Sequence, residues 1–142
     1  MSFQTSDTVA NAMLDAFETA IGTSAVLKIY DLTSGAPANC AAAITGTVLA
    51  TITLPSDWMA GASSRSKAKS GTWQDASADN AGTADFFRLF ASDGTTCHAQ
   101  GTVTVTGGGG NLTLDNTSIA SGQSITITSF SIADNNAYTV GV

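Results

Sequence analysis

The sequence predicts a mainly β protein, an antiparallel β-sandwich or jelly roll with one N-terminal amphipathic helix. Three observations support this fold class. Apolar residues recur at helical spacing in one segment only, about residues 8–21. From about residue 25 onward, short runs rich in Val, Ile, Thr and Phe alternate with turn residues at intervals of roughly ten residues, as in sandwiches and barrels. The chain of 142 residues has the usual length of one domain, so residues 1–142 are expected to form a single β-sandwich domain.

The helix has clear predicted ends and a predicted buried side. Thr5, Ser6 and Asp7 are all N-cap candidates, and Gly22 is a natural stop. One apolar stripe is expected to pack against the sheet or a partner: Val9, Met13, Ala16, Phe17, Ala20 and Ile21. The opposite side is then expected to be the polar one: Asn11, Asp15, Glu18 and Thr19.

The strands are predicted from apolar–polar alternation bounded by Gly, Pro, Asn and Asp. About seven or eight runs qualify, near residues 25–31, 48–54, 71–77, 86–90, 95–105, 111–114, 125–132 and 138–142. A change of parity near Ser129 predicts a bulge or bend within the seventh run. Residues 61–71 and the four glycines at 107–110 are predicted to be loops.

The run at 86–90 and the threonine-rich run at 95–105 predict a β-hairpin. An Asp93-Gly94 pair between them favours a two-residue turn in which both residues have positive φ. That register places Phe90 opposite Cys97 and Leu89 opposite His98. It also gathers apolar residues on one face: Phe86, Phe90, Cys97, Val103 and Val105. Because both faces of the first strand are apolar, we expect it to be covered on two sides, and one cover could be another subunit.

Charge is scarce in this chain. Charged residues make up 11% of it, the net charge is −6, and five basic residues are too few for a nucleic-acid footprint. Hydroxyl groups cost less to desolvate than charges, so such a surface suits packing against other protein. The cluster Arg65, Lys67 and Lys69 is expected to lie in a solvated loop, with a phosphate or sugar contact as the alternative. Such a loop could also dock onto an acidic neighbour, and Gly108 and Gly109 are further candidate contacts.

The sequence offers no set of residues for catalysis, metal binding or a cofactor. His98 is the only histidine and is expected to be structural, while Asp75, Asp79 and Asp85 stand in turn contexts. The sequence has no second histidine and no CxxC pair, so no zinc site is predicted. The glycine run precedes a strand rather than a helix, which argues against phosphate binding. We therefore expect that the protein is not an enzyme and has no cofactor.

The two cysteines and the hydropathy pattern bear on the compartment. Cys40 and Cys97 would allow one disulfide, but we expect free, buried thiols, because free cysteine packs as a small hydrophobe. The first twenty residues lack the pattern of a signal peptide, and no run approaches the length of a membrane span.

Several segments resemble a group of small proteins encoded in the structural modules of tailed phages and prophages. The similar segments are NAMLDAFETAI at 11–21, LKIY at 27–30, PANC at 37–40, LATITLPSDW at 49–58, GTWQ at 71–74, SDGTTCH at 92–98 and LTLDNTSI at 112–119, continuing to Phe130. The resemblance covers nearly the whole chain. Its motifs concern packing and turns, and it brings no catalytic residues.

The resemblance implies a virion protein that is made in the bacterial host cytoplasm. Of the roles open to such a protein we expect capsid cement, also called decoration, on the outside of the shell. Its partners would be the major capsid protein and other copies of itself, in a dimer or trimer. The helix and the two loops at 61–71 and 107–110 are the candidate contact regions.

The alternative is a tail or baseplate module that binds a host-surface glycan or other tail proteins. Sugar sites usually present aromatic rings at the surface, and Trp58, Trp73 and Tyr138 are the candidates here. Burial of both tryptophans would weaken this alternative.

Overall fold

A computed structural model of the protein describes residues 3–135. The strand predicted at residues 138–142, with Tyr138, lies outside the described residues, as does the second half of the turn predicted at 134–137. The elements are α1 Asp7–Ile21, β1 Val26–Asp31, β2 Thr47–Thr53, β3 Ser66–Ala68, β4 Trp73–Asp75, β5 Gly82–Thr83, β6 Phe86–Phe90, β7 Cys97–Val105, β8 Leu112–Leu114, β9 Ser118–Ile119, β10 Ile125–Ile127 and β11 Ser131–Ala133.

A five-stranded sheet with the order β2-β1-β6-β7-β8 organises the fold. Its pairs are antiparallel except for β7 and β8, which run parallel. Three two-stranded ladders, β4–β10, β3–β11 and β5–β9, complete the strands of the described residues. The prediction of a mainly β fold with one N-terminal helix is confirmed. The strands outnumber the prediction because several are pairs or triplets of residues, such as β5 and β9, that the sequence does not distinguish from turns.

The helix begins and ends where the sequence predicts. The Ser6 hydroxyl accepts a hydrogen bond from the Val9 N–H at 3.3 Å, and Gly22 ends the helix at φ 93° with its N–H donating to the Glu18 carbonyl. The predicted orientation of the helix is only partly right: Phe17 and Ile21 of the predicted stripe pack against the core, but the first half of the stripe does not. Val9 and Met13 are 48% and 58% exposed, whereas the residues packed inward are Ala10, Leu14 and Ile21, with Phe17 half-buried.

The β6–β7 hairpin is confirmed, but its turn is longer than predicted. Only Gly94 of the predicted pair has positive φ, 69°. The Ala91 N–H donates to the Thr96 carbonyl, and the Asp93 carboxylate accepts the N–H of Thr95 and of Thr96, each at 2.8 Å. The Asp93 side chain therefore closes a turn of four residues, in place of a two-residue turn that needs positive φ twice.

The hairpin register changes by one residue immediately after the turn. Phe90 pairs with Cys97 as predicted, but Leu89 pairs with Ala99, so His98 forms a bulge. Because a one-residue shift exchanges the two faces of a strand, Val103 joins Leu89 on the core face, where it is buried. The predicted grouping of Val103 and Val105 with Phe90 is therefore wrong.

Both faces of β6 are covered, and this prediction is confirmed. One face of the sheet joins the main core, which includes Leu27, Ile29, Phe87 and Leu89. The other face is buried as well and carries Val26, Tyr30, Phe86, Arg88 and Phe90.

The second cover of the sheet comes from residues 32–46 of the same chain. Arg88 Nη2 donates to the carbonyls of Asn39 and Ala42 at 3.1 and 2.8 Å. A disulfide joins Cys40 in this segment to Cys97 at the start of β7, with Cα atoms 5.3 Å apart. The prediction of free thiols is therefore wrong, because the loop brings together two cysteines that are 57 residues apart.

Candidate interaction surfaces

The predicted basic contact segment is largely internal. Residues 61–71 contain β3, which pairs with β11, so the prediction of a solvated loop is wrong. The side chains of Arg65 and Lys67 are buried, at 8% and 3% exposure. Lys69 is half-buried, and its Nζ donates to the Gly71 carbonyl at 2.7 Å.

Arg65 ties the start of the helix to the last described strand. Its guanidinium donates to the Thr5 carbonyl at 2.9 Å and to the Asp7 carboxylate at 3.2 Å. On the other side it contacts the Asp134 carboxylate at 2.9 Å. Arg65 also has positive φ, 63°. Arg65 therefore has a structural role, because its guanidinium N–H groups donate to partners within the chain.

Lys67 pairs with two acidic residues of the helix. Its Nζ is 2.8 Å from Asp15 Oδ1 and 3.0 Å from Glu18 Oε2, and it donates to the Ala60 carbonyl at 2.9 Å. Burial alone would lower the pKa of Lys67, but the hydrogen bonds to the two carboxylates outweigh it and the pKa lies above its usual value. The hydrogen bond from Lys67 and the N–H of Ala62 hold the pKa of Asp15 below its usual value.

This pairing accounts for the orientation of the helix. The Asn11 carboxamide accepts the Arg65 N–H at 2.9 Å, and Glu18 accepts the Met59 N–H at 3.1 Å. Asn11, Asp15 and Glu18 of the polar side are therefore bound to the β3 region, and four of the six residues of the predicted apolar stripe are turned outward: Val9, Met13, Ala16 and Ala20. We call that exposed stripe the outer helix face; it consists of Val9, Ala12, Met13, Ala16 and Ala20.

The outer helix face combines exposure with an absence of charge. The other exposed residues along the helix after Asp7 are Thr8 and Thr19. Surface helices of globular proteins usually present their charged side to water. Here the carboxylates of Asp15 and Glu18 are both paired with Lys67, so a largely apolar side without charged residues is left for contact with another molecule.

The glycine loop is a compact return of the chain. It brings the chain from the end of β7 back to the level of Val103, so that β8 can start opposite Val103 at Leu112 and run parallel to β7. A Cβ atom at Gly108 or Gly110 would come within 2.8 Å of the Thr104 side chain. Gly108 and Gly109 are exposed, so of the five candidate contact residues these two and Lys69 have surface to offer.

The two tryptophans proposed for glycan contact are core residues. Trp58 and Trp73 are 0% and 1% exposed. Their indole N–H groups donate to the carbonyls of Gly22 and Ser70 at 2.9 and 3.0 Å. The two indole rings belong to a row of five aromatic rings whose neighbouring centroids are 5.4–6.2 Å apart: Phe17, Trp58, Trp73, Phe130 and Phe87.

Two adjoining clefts open beside the half-buried Phe130. The first, about 520 Å³, is lined mainly by polar groups that include Asn111, Thr113 and Thr128, with Lys69 at its edge. The second, about 340 Å³, has slightly more apolar than polar lining and lies between the helix, β7 and β11; we call it the apolar cleft. They share Asn111, Phe130 and Ser131. The sequence does not indicate this region, since the walls of the two clefts come from six separate segments of the chain.

The residues considered for catalysis and metal binding are not gathered into one site. His98 is exposed on the bulge of β7. Within residues 3–135 there is no group of three or more His, Cys, Asp or Glu side chains that could hold a metal ion. No helix among these residues is long and apolar enough to cross a membrane.

Comparison with known proteins adds no relative. No protein-family model matches the chain, and no curated protein and no solved structure shows significant similarity to it.

Proposed function

We propose that this chain is a structural virion protein of a tailed phage, most specifically a capsid cement protein that binds the outside of the major capsid protein lattice. The outer helix face is the observation that carries the proposal. Together with the resemblance of the whole chain to phage structural-module proteins, it supports a role in contact rather than in chemistry. The proposal includes self-association as a dimer or trimer and the sandwich or jelly-roll arrangement expected from the sequence.

The energetics of this face suit many weak contacts. Full burial of an exposed Val or Met side chain contributes about 1.5–3 kcal/mol, and Val9 and Met13 are about half exposed. Their burial would thus contribute roughly 2–3 kcal/mol per copy, too little for a tight one-to-one complex. Copies that contact the shell and each other add such increments by avidity, which is how a cement protein would stabilise a lattice.

The scaffold behind this face is held in place from several directions. The Arg65 and Lys67 networks fix the helix, and the Cys40–Cys97 disulfide fixes the opposite cover of the sheet. A surface that is already ordered loses little conformational entropy on binding. This supports a role in which the protein clamps neighbouring subunits.

The tail or baseplate alternative retains one supporting observation. The polar cleft beside Phe130 offers amide and hydroxyl groups next to an aromatic ring, which is the chemistry of a sugar site. Burial of both tryptophans removes its stronger support. Capsid binding is therefore preferred.

The deciding experiment adds purified protein to expanded capsids that lack it and images the product by electron microscopy. Regular density on the shell, with increased heat resistance, is the expected result. Bare shells, with the protein found on tails, would refute the cement role.

A matched pair of variants tests the contact surface. Val9→Asp should reduce capsid binding at least tenfold, whereas Val105→Asp, at a valine with nearly the same exposure (46% against 48%), should leave it unchanged. Loss of binding in Val105→Asp alone would move the contact to the neighbouring glycine loop.

A further inference from the structure

The apolar cleft is lined by uncharged residues and is bordered by two β-strands. Its apolar lining comes from Phe17, Phe87, Leu89, Ala99, Phe130 and Ile132, and no charged residue borders it. Two of its walls are strands, β11 on one side and the middle of β7 on the other. In a chain of net charge −6, an uncharged cleft excludes a charged occupant, because no counter-charge would repay desolvation.

The backbone of β11 offers hydrogen bonds to this cleft. The Phe130 carbonyl accepts from Lys69, and the Asp134 N–H donates to Arg65. Residues 130, 132 and 134 therefore direct their backbone groups towards β3, in register with the Ile132–Lys67 pair. By alternation, Ser131 and Ala133 direct their N–H and C=O groups away from β3, on the side that has no partner strand among residues 3–135.

The facing wall repeats this arrangement in β7. The Val103 N–H donates to Asp85 on the β6 side, so Gly101 and Ala99 also face β6. Gln100 and Thr102 then face away from β6, and the Thr102 N–H is taken by the Asn111 side chain at 3.1 Å. The Gln100 side chain lies on the opposite face of the sheet, bound to the Pro37 carbonyl. Gln100 therefore borders the cleft with its outward-facing backbone groups.

We propose that this cleft receives an extended, uncharged strand of a neighbouring virion protein, which pairs with the outer edge of β11 and sets apolar side chains over Phe87 and Phe130. This inference rests on the proposed function and names the form of one of its contacts. Strand addition uses backbone groups for affinity and alternate side chains for specificity. Edge strands are commonly protected by lysine, proline or inward charge, and β11, Ser-Ile-Ala in sequence, has none of these.

Proline substitution can remove one outward donor without touching the β3 ladder. Ala133→Pro deletes an N–H that points away from β3, a position at which edge strands accept proline. Ala133→Thr keeps the N–H and favours a strand. We expect Ala133→Pro to weaken capsid binding at least tenfold and Ala133→Thr to leave it unchanged. Ser131→Pro is the second variant, and retained slow exchange of the Ile132 amide shows that β11 is still folded in each.

Hydrogen exchange gives a readout that a merely structural role would not move. The protein is bound to expanded capsids, exchanged in deuterated buffer, released and analysed residue by residue. The amides of Ser131, Ala133 and Gln100 should exchange at least tenfold more slowly than in the free protein, while Ile132 is protected in both states. Capsid binding with unchanged exchange at these three amides would overturn the strand inference and leave the cement role standing.

A peptide separates failure of the inference from failure of the proposed function. If the protein does not bind capsids, the proposed function fails, but the strand site can still be tested with a peptide. The peptide is an acetylated, amidated copy of residues 101–106, which is uncharged and alternates Thr with Val after its first glycine. Saturable binding that Ala133→Pro abolishes would support the strand site, and its absence would refute it. Two other results would also overturn the inference: tighter peptide binding by a variant ending at Asn135 would assign the cleft to the chain's own end, and self-association lost in Ala133→Pro would assign it to a second copy.

Discussion

Replacing Lys67 with methionine is expected to destabilise the protein by about 2–3 kcal/mol. Methionine keeps much of the hydrocarbon length of lysine but not its ammonium group, which lies 2.8 and 3.0 Å from the carboxylates of Asp15 and Glu18. Breaking a fully buried pair costs about 3–5 kcal/mol, because the remaining charge has no partner and no water. Here the Glu18 side chain is 18% exposed and that of Asp15 is 48% exposed, so water compensates in part and the smaller range applies.

Urea denaturation with a double-mutant comparison separates the charge effect from packing. In the Asp15→Asn, Glu18→Gln background, the same Lys67→Met change should cost less than about 1 kcal/mol, since no carboxylate is left unpaired. The matched control is Lys69→Met, a half-buried lysine of the same segment, expected to cost about 1 kcal/mol or less. Equal losses for Lys67→Met in both backgrounds would refute the ion-pair explanation of helix orientation.

The stability lost in Lys67→Met should depend on pH, and the pKa shifts of Asp15 and Lys67 determine how. The pKa of Asp15 is lowered in the folded protein, so its contribution is present above the unfolded pKa and is lost as pH falls through the folded pKa. The pKa of Lys67 is raised, so its contribution is complete below the unfolded pKa and is lost as pH rises through the folded pKa. The stability gap between the native protein and Lys67→Met should therefore be widest between these limits and narrow in both acid and strong alkali.

The remaining predictions concern the cover of the sheet, its main hairpin and the glycine loop. Reduction of the Cys40–Cys97 disulfide, which closes a 57-residue separation, should lower the free energy of unfolding by about 2–4 kcal/mol, measured by urea titration with and without reductant. The Thr96 hydroxyl and neighbouring N–H groups hold the pKa of Asp93 below its usual value, so Asp93→Asn should reduce the loss of thermal stability as pH falls below about 4. Gly110→Ala should cost about 1–3 kcal/mol because its Cβ would meet a threonine 2.8 Å away, whereas Gly35→Ala, with no atom within 4 Å, should be neutral in the same melts.

Local signals in the sequence predicted the boundaries of elements well. The bounds of α1 follow from Ser6 and Gly22, whose effects act within one helical turn. The strands at 26–31 and 47–53 follow from alternation, and Phe90 pairs with Cys97 as the hairpin pattern predicts. Each of these features depends on residues that are close together in the chain.

Features that depend on distant residues were not predictable in this way. The apolar residues of α1 span more than half of its circumference, because Ala12 and Leu14 extend the predicted stripe on its two sides. Which part of this arc faces the core depends on Lys67, which binds Asp15 from about 50 residues further along the chain. The bulge at His98 likewise depends on how the sheet accommodates β1 and the loop at 32–46, so the faces of β7 could not be assigned from its own pattern.

The candidate contact regions also combine features that the sequence predicts with features that depend on distant residues. The glycine loop was visible in the sequence, because four consecutive glycines indicate a tight return. The cations at 65 and 67 were visible too, but their burial was not, since their acidic partners lie in the helix and at Asp134. The outer helix face follows from that burial and so could not be seen earlier.

The placement of the cations also decides what kind of partner the surface can meet. Arg65, Lys67 and Arg88, three of the five basic residues, are buried. Lys28 is half-buried and donates to the Gly94 carbonyl at 3.0 Å. With most of its cations turned inward and a net charge of −6, the chain presents more negative than positive groups to an approaching molecule, which disfavours an acidic partner. The uncharged outer helix face and the uncharged cleft are the regions where that repulsion is absent, and this is why contact is assigned to them rather than to the basic segment that the sequence first indicates.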